Sequence, residues 1–318
     1  MRTAVKRLAV AATIGMFLVL LMGATVTNTG SSEGCGRSWP LCHGKFIPSY
    51  TFHTMIEFSH RAVTGIEGFL IAAVAIGAIA LYRRQREVQI LVAIMVGTLL
   101  LQSGLGASAV MWPQSPAIMA SHFGISLVCL AAVFLLTRYL YATDETAPEL
   151  VPAGAPPLPA WIRRAVLGAL VAVIGVAYLG AYMRHSDAVF ACYKWPTCNG
   201  EIYPGLSGPV GISFGHRLAA LAVIILIGAL AIATYRLRES YPRLWRVMAA
   251  AAVIVLLQSL AGGAVVLSHM EYWSTLLHAG LMALLFLCLA DACRQVLIQP
   301  RPVDQPQPTL TLAPTVSR

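Results

Sequence analysis

The stretch Glu57-Phe58-Ser59-His60-Arg61 opens a long apolar run that continues to Tyr82. A run of this length can cross a lipid bilayer as a helix. A second His-Arg pair, in Phe214-Gly215-His216-Arg217, opens another apolar run 156 residues later. Two related segments at this separation predict that the chain consists of two related halves.

The same offset of 156 residues connects further positions across the chain. It relates His122 to His278, Cys42 to Cys198, Trp39-Pro40 to Trp195-Pro196, and Leu101-Gln102-Ser103 to Leu257-Gln258-Ser259. Glu57 has no such counterpart, because residue 213 is serine. The sequence is therefore organised around four histidines in two equivalent pairs, with an acidic residue beside only one of them.

The composition excludes a soluble globular protein. Hydrophobic residues make up 58% of the 318 residues and charged residues only 11%, whereas soluble domains have about a quarter charged residues. We predict an all-α polytopic membrane protein with eight transmembrane helices, at about 8–27, 56–81, 89–111, 117–141, 163–183, 212–235, 245–267 and 273–297. The net charge of +9 is explained by basic cytoplasmic loops and does not indicate nucleic-acid binding.

The distribution of Lys and Arg predicts the orientation of the spans. Sixteen of these residues lie at the termini and in the loops on one side, and six lie on the other side. Both termini are therefore predicted in the cytoplasm. Since each half has an even number of spans, the halves keep the same orientation and form two four-helix bundles about a pseudo-twofold axis along the membrane normal.

These bundles define the predicted domains. Residues 1–141 form the N-terminal half, 142–162 a proline-rich cytoplasmic linker, 163–297 the C-terminal half, and 298–318 a disordered cytoplasmic tail. Span one has the basic start and the small residues of a signal peptide. The offset maps Arg7 to Arg163 and hence span one to span five, so we predict that span one is retained.

The four repeated histidines are candidate iron ligands. His60 and His122 are predicted about one turn inside the outer ends of spans two and four, which run in the same direction. Two imidazoles at one depth can fill both axial positions of a haem iron, and His216 and His278 repeat the arrangement. A lone membrane histidine is more often hydrogen-bonded to a neighbouring helix, but four at a fixed offset favour two haem sites.

Charged residues flank these histidines. Arg61 and Arg217 directly follow His60 and His216, and each is a candidate contact for haem propionates; the alternative is that each extends to the lipid headgroups. Glu57 shares a helix face with His60, where a carboxyl group could transfer protons. The alternative for Glu57 is an ion pair with Arg61, but its absence from the second half favours a functional role.

Each half carries a cysteine pair in its first outer loop, Cys35 with Cys42 and Cys192 with Cys198. The pairs face an oxidising compartment, and their short separations allow a disulfide within each loop. Metal binding is the weaker interpretation, since neither pair has its own histidines matched by the offset. A redox role for Cys35 and Cys42 is the remaining alternative to a structural one.

The combination Glu57-x-x-His60-Arg61, Ser121-His122, Gly215-His216-Arg217 and Leu277-His278, with a cysteine pair in each half, resembles the haem A synthase family. The resemblance extends from span one to span eight. It implies a membrane enzyme of terminal-oxidase assembly that oxidises a ring methyl group of haem O to a formyl group, giving haem A. The presence of a cysteine pair in both halves resembles the pattern of one bacterial subgroup of this family.

The resemblance also implies the role of each residue. His216 and His278 would bind a resident haem b, His60 and His122 would flank the haem O substrate, and Glu57 would be a catalytic acid. The implied partners are molecular oxygen, an unidentified electron donor and haem O synthase. The implied location is the bacterial cytoplasmic membrane, with the cysteine loops outside.

Two other functions would use part of this pattern. A di-haem cytochrome that only transfers electrons needs the same four histidines but gives no role to Glu57. A haem chaperone or transporter explains one exchangeable haem site but not a second, permanent pair of ligands.

Overall fold

The computed structural model describes residues 1–112, 115–142 and 155–297. Within these ranges the chain forms eight long helices and one turn of 3₁₀ helix at Val189–Cys192. The helices are α1 (Arg2–Asn28), α2 (Phe52–Tyr82), α3 (Arg86–Met111), α4 (Pro116–Ala142), α5 (Ala160–His185), α6 (Gly208–Tyr235), α7 (Pro242–Leu267) and α8 (Tyr272–Leu297). Each is long enough to cross a membrane, with a mean hydropathy of 2.0 to 2.5 over its most apolar window. The predicted all-α fold with eight spans is confirmed.

Several helices extend beyond the predicted apolar spans. α1 begins at Arg2 and α2 at Phe52, before the predicted starts at residues 8 and 56. Hydropathy marks only the part of a helix inside the hydrocarbon layer, whereas the backbone hydrogen bonds continue into the interfacial region. α4 and α7 begin at Pro116 and Pro242, because proline at the first helical position loses no intrahelical hydrogen bond.

The helices of each half pack in a closed ring. α1 contacts α2, α2 contacts α3, α3 contacts α4, and α4 returns to α1; α5 to α8 repeat this order. The halves meet where α4 packs on α5 and α8, and where α1 packs on α8. Most of the predicted linker, residues 143–154, and the predicted tail, residues 298–318, lie outside the described residues.

The internal repeat has a different offset in its first helix. The residues buried along one face of α1 match those of α5 at an offset of 157: Val5, Ala9, Ala12, Met16 and Leu20 against Ile162, Val166, Ala169, Val173 and Ala177. The predicted equivalence of Arg7 with Arg163 is therefore wrong by one residue, and Arg164 is the counterpart. The cause is a one-residue difference in loop length, because the first cysteine pair is separated by 7 residues and the second by 6.

Two ion pairs near the predicted cytoplasmic ends join the halves. Arg138 of α4 pairs with Asp291 of α8 at 3.4 Å between Nε and Oδ1, and Arg294 of α8 pairs with Glu87 of α3. Arg138 and Arg294 are repeat counterparts at an offset of 156. Asp291 and Arg294 are buried, and a buried charge without its partner is costly. These pairs therefore stabilise one packing of α8 against the first half.

Candidate functional site

Each of the four repeated histidines packs against a glycine of the preceding helix. A Cβ atom added at that glycine would lie 2.8 to 3.4 Å from the imidazole Cε1 atom. The pairs are Gly23 with His60, Gly106 with His122, Gly180 with His216, and Gly262 with His278. A Cβ at Gly106, Gly180 or Gly262 would press on the ring, and at Gly23 it would just touch it, so the glycines let the imidazoles pack close to the preceding helix.

The structure brings the histidines together in the two predicted pairs. His60 on α2 lies within electrostatic range of His122 on α4, and His216 on α6 lies within range of His278 on α8. One pair therefore lies in each four-helix ring. Across the described residues, no group of three or more His, Cys, Asp or Glu side chains could hold a metal ion, so a centre with two protein ligands is the arrangement that these pairs can supply.

The histidine environments fit axial ligands of a haem. In His60, His122 and His216, Nδ1 is buried and meets no hydrogen-bond partner among the described residues, while each ring as a whole is only half-buried. Such a ring is enclosed by protein on its Nδ1 side and can present Nε2 to a ligand. A neutral imidazole pair is also the donor set that haem iron commonly takes. These three imidazoles thus fit the group that the sequence predicts.

The fourth histidine differs from the others in the approach of a glutamine side chain. His278 Nδ1 lies 3.2 Å from the backbone oxygen of Gln258, and its Nε2 lies 3.3 Å from the Gln258 side-chain nitrogen. The counterpart of Gln258 in the first half is Gln102, whose amide donates to Met16 Sδ instead. The two halves therefore place the same glutamine side chain differently around their histidine pairs.

The two oxygens of Glu57 have separate partners. Oε2 accepts a hydrogen bond from the backbone N–H of Cys35 at 2.8 Å, and Oε1 accepts from Arg61 Nε at 3.1 Å. Glu57 is 4% exposed. The carboxylate thus joins α2 to the first cysteine loop, residues 29–51, and the ion pair weighed as the alternative in the sequence is present.

Both arginines hold cysteine loops. Arg61 Nη1 donates to the backbone oxygens of Ser38 and Leu41. Arg217 donates to four backbone oxygens of the second cysteine loop, residues 186–207, which belong to Cys192, Lys194, Pro196 and Thr197. These contacts assign the guanidinium groups a role in loop attachment that the sequence did not suggest. Propionate binding by Arg61 and Arg217 stays a prediction.

The two predicted disulfides are present. The sulfur atoms of Cys35 and Cys42 are 2.06 Å apart, and Cys192 and Cys198 form the second bond. In each loop, the second cysteine also forms a short β-bridge, to Lys45 or to Glu201. Each disulfide therefore closes a compact turn that the following arginine attaches to its helix.

The two loops differ in how they pack on the helices below. Trp195 lies on Gly263 of α7, where an added Cβ would come within 2.8 Å of the indole Cδ2. The repeat counterpart of Gly263 is Ala107, and the counterpart tryptophan, Trp39, is 49% exposed. Gly263 directly follows Gly262, against which His278 packs. The tryptophan of the second loop thus packs on α7 beside the histidine site, whereas the tryptophan of the first loop, Trp39, is exposed.

Sequence reasoning missed a buried carboxyl group in the middle of a membrane span. Glu67 on α2 is 3% exposed, although it lies in the middle of a membrane span. The signal was available, since an acidic residue inside an apolar run is costly and usually functional. The offset of 156 places Val223 at the equivalent position, so a search for repeated polar residues could not find Glu67.

Comparisons with known proteins match most of the chain. Residues 47–290 match the model of the family COX15-CtaA, described as cytochrome oxidase assembly protein. The chain is 37% identical to the heme A synthase of Symbiobacterium thermophilum, an alignment that covers 88% of this chain and 91% of that protein. It is 38% identical to that of Halalkalibacterium halodurans, over 87% and 91%, and 40% identical to that of an Exiguobacterium species, over 86% and 87%.

Proposed function

The chain belongs to the cytochrome oxidase assembly protein family, and we propose that it is a haem A synthase, an oxidoreductase that converts haem O to haem A. The observation that carries this proposal is that each half contains a pair of histidines, each packed against a glycine of the preceding helix. They lie in a chain that is similar over most of its length to proteins with this activity.

The first half is the substrate site in this proposal. His60 and His122 flank haem O, and the ring methyl group is oxidised in two steps. Each step consumes one molecule of oxygen, two electrons and two protons and releases one water, giving first an alcohol and then a hydrated aldehyde. Loss of water from the hydrate yields the formyl group. Molecular oxygen and an electron donor are therefore required partners, and haem O synthase is the proposed supplier of substrate.

The second half holds the resident cofactor. Haem b bound by His216 and His278 would supply one-electron transfer toward the substrate site. Two asymmetries support this assignment. Trp195 packs against α7 beside the His278 site, whereas Trp39 is half exposed. Only the first half has an acidic residue, Glu57, at the helix turn before its histidine. A loop packed against its helices suits a site whose cofactor stays bound, and a more exposed loop suits a site whose substrate exchanges.

The chain's own side chains then have distinct tasks. The four imidazoles orient the two haems, and the surrounding helices limit the access of water to reactive intermediates. Glu57, held between Arg61 and Cys35 N–H, is the candidate group for proton transfer at the substrate site. Arg61 and Arg217 attach the loops over the two sites, and propionate binding by these guanidinium groups is part of the proposal.

The proposed location is the bacterial cytoplasmic membrane, with both termini in the cytoplasm and the cysteine loops outside. Eight candidate spans and the bacterial relatives support a multi-pass membrane protein. The excess of Lys and Arg on the side of the termini supports the orientation. In this orientation both histidine pairs lie near the outer face, and both disulfides face an oxidising compartment.

Co-expression with a source of haem O tests the proposed activity. Extracted haems are analysed by mass spectrometry, and we expect haem A only when the protein is present. Haem O that is bound but never oxidised would indicate a haem carrier. A haem b protein that neither binds nor changes haem O would indicate an electron-transfer cytochrome. Either result would contradict the proposed enzyme.

The packing of Trp195 provides a second prediction. Gly263→Ala places a Cβ against the indole, and overpacking of this kind costs about 1–3 kcal/mol. We expect the purified variant to lose haem b to a haem-scavenging protein faster than wild type, as followed by absorbance. The matched change in the first half, Ala107→Gly, should leave this rate unchanged. Equal rates for Gly263→Ala and wild type would show that the loop does not retain the cofactor.

A further inference from the structure

A layer of polar residues crosses the interior of the first helix bundle below the histidine pair. It consists of Glu67 on α2, Thr98 on α3 and Cys129 on α4, with Gly15 of α1 facing Glu67. Cys129 lies within electrostatic range of Glu67 and next to Thr98. Its Sγ is 3.6 Å from the backbone oxygen of Met95, and the Thr98 hydroxyl donates to the backbone oxygen of Ile94 at 2.6 Å. We name Glu67, Thr98 and Cys129 the polar layer. Each of the four helices of the first half thus contributes one residue at this depth of the bundle.

Glu67 is the centre of the polar layer. Its side chain is buried, and Oε1 has no hydrogen-bond partner among the described residues. The carboxyl group lies against Gly15, where an added Cβ would overlap Oε2 in its present position. An isolated carboxylate in an apolar interior is very unfavourable, so the neutral acid is the favoured form. A neutral acid with an unsatisfied oxygen is a hydrogen-bonding group without its partner.

The second half has no polar layer. At the corresponding positions α5, α6, α7 and α8 carry only apolar residues: Ala172, Val223, Ile254 and Leu285. All four pack in the apolar core, where Val223 and Leu285 are buried. Glycine and glutamate in the first half are thus replaced together by alanine and valine in the second. A chance polar residue in a membrane helix would not account for the matching change on every helix of the bundle.

The polar layer lies directly below the first histidine pair. Seven residues separate His60 from Glu67 on α2, and seven separate His122 from Cys129 on α4. Seven residues correspond to two helical turns, about 10 Å along the axis, so each layer residue shares a face with its histidine. Helical side chains lean toward the N-terminus, which brings the Glu67 carboxyl back toward the histidines. It therefore lies on the membrane-interior side of the space between these histidines.

We propose that the polar layer is a subsite for the hydroxyl group of the haem O side chain, with Glu67 as its hydrogen-bonding partner. The inference rests on the proposed function, in which the first half binds haem O and the second half binds haem b. Haem O carries a hydroxyl-bearing isoprenoid chain where haem b carries a vinyl group. The half with the carboxyl group is thus the half whose ligand has a hydroxyl, and the apolar half receives the ligand without one.

A binding measurement tests the subsite without relying on turnover. Purified protein with haem b in its second half is titrated in detergent with haem O or with additional haem b, and absorbance gives the affinity of the first site for each. Wild type should prefer haem O. Glu67→Val, which installs the residue of the second half, should reduce this preference about 10- to 100-fold by removing one partner of a buried hydrogen bond. Glu67→Gln should retain most of it, because an amide still hydrogen-bonds to a hydroxyl.

The controls separate this inference from the proposed function. Thr234→Val removes a buried hydroxyl in α6 that bonds within its own helix and should leave the preference unchanged. His60→Ala should abolish haem O binding, and if it does while Glu67→Val keeps the full preference, the subsite is wrong and the substrate assignment stands. If both Glu67 variants keep the preference but slow haem A formation, Glu67 transfers protons and the subsite is again wrong. Haem O binding that requires His216 instead of His60 would overturn the proposed assignment of the halves itself.

Discussion

The His278→Ala protein is expected to purify without its tightly bound haem, whereas the His122→Ala protein keeps haem b and forms no haem A. The two histidines are repeat counterparts, and each packs on a glycine of the preceding helix. They differ in their surroundings, since His278 lies at the half whose loop is packed down by Trp195. Removing an axial imidazole should therefore release the cofactor in one half and disable the substrate site in the other. Absorbance spectra and mass spectrometry of extracted haems measure both effects.

A histidine outside the two pairs provides the control for this experiment. His269 lies in the turn between α7 and α8, is exposed, and has a positive φ of 56°. Asparagine tolerates this conformation, so His269→Asn should keep both haem b and haem A formation. Loss of the resident haem in His122→Ala with retention in His278→Ala would reverse the assignment of the two halves.

The helices and the histidine pairs could be predicted because each has a signal along the chain. Eight apolar runs in the sequence predict the eight spans. A fixed offset relates the histidines, and it can be read without knowing any contact. The same reasoning erred by one residue in α1, where Arg164 and not Arg163 corresponds to Arg7. A one-residue difference in length between the paired cysteines shifts the offset before that point, and the burial pattern of α1 and α5 shows that the shift continues through the first helix.

Contacts made by backbone atoms could not be predicted in this way. Arg217 donates to four loop carbonyls, and every residue has a carbonyl, so the sequence contains no sign of this arrangement. Glu67 was missed for the opposite reason. Its importance lies in a difference between the halves, and a search for repeated residues discards differences. Comparing the halves position by position identifies both Glu57 and Glu67 as acidic residues without an acidic counterpart in the second bundle.

Glu57→Gln is expected to lower the rate of haem A formation about 10²- to 10⁴-fold, the usual cost of removing a general acid or base. Glutamine keeps the shape of the side chain and can still accept the Cys35 N–H, but it loses the charge that pairs with Arg61 and the proton that a carboxyl group can transfer. The resident haem spectrum should be unchanged, because Glu57 lies in the other bundle. Haem A is quantified after a fixed time of co-expression with a haem O source, at matched protein levels.

The competing explanation is that Glu57 only attaches the first cysteine loop, and the second half argues against it. There Arg217 holds its loop through backbone oxygens alone, with Ser213 in place of the carboxylate, so a loop of this kind needs no acidic residue. Reduction of Cys35–Cys42 followed by thiol labelling reports loop attachment directly. We expect similar labelling rates in Glu57→Gln and wild type despite the large loss of activity. Labelling that accelerates in proportion to the lost activity would assign Glu57 to loop attachment, and near-normal haem A formation in a well-expressed variant would refute its catalytic role.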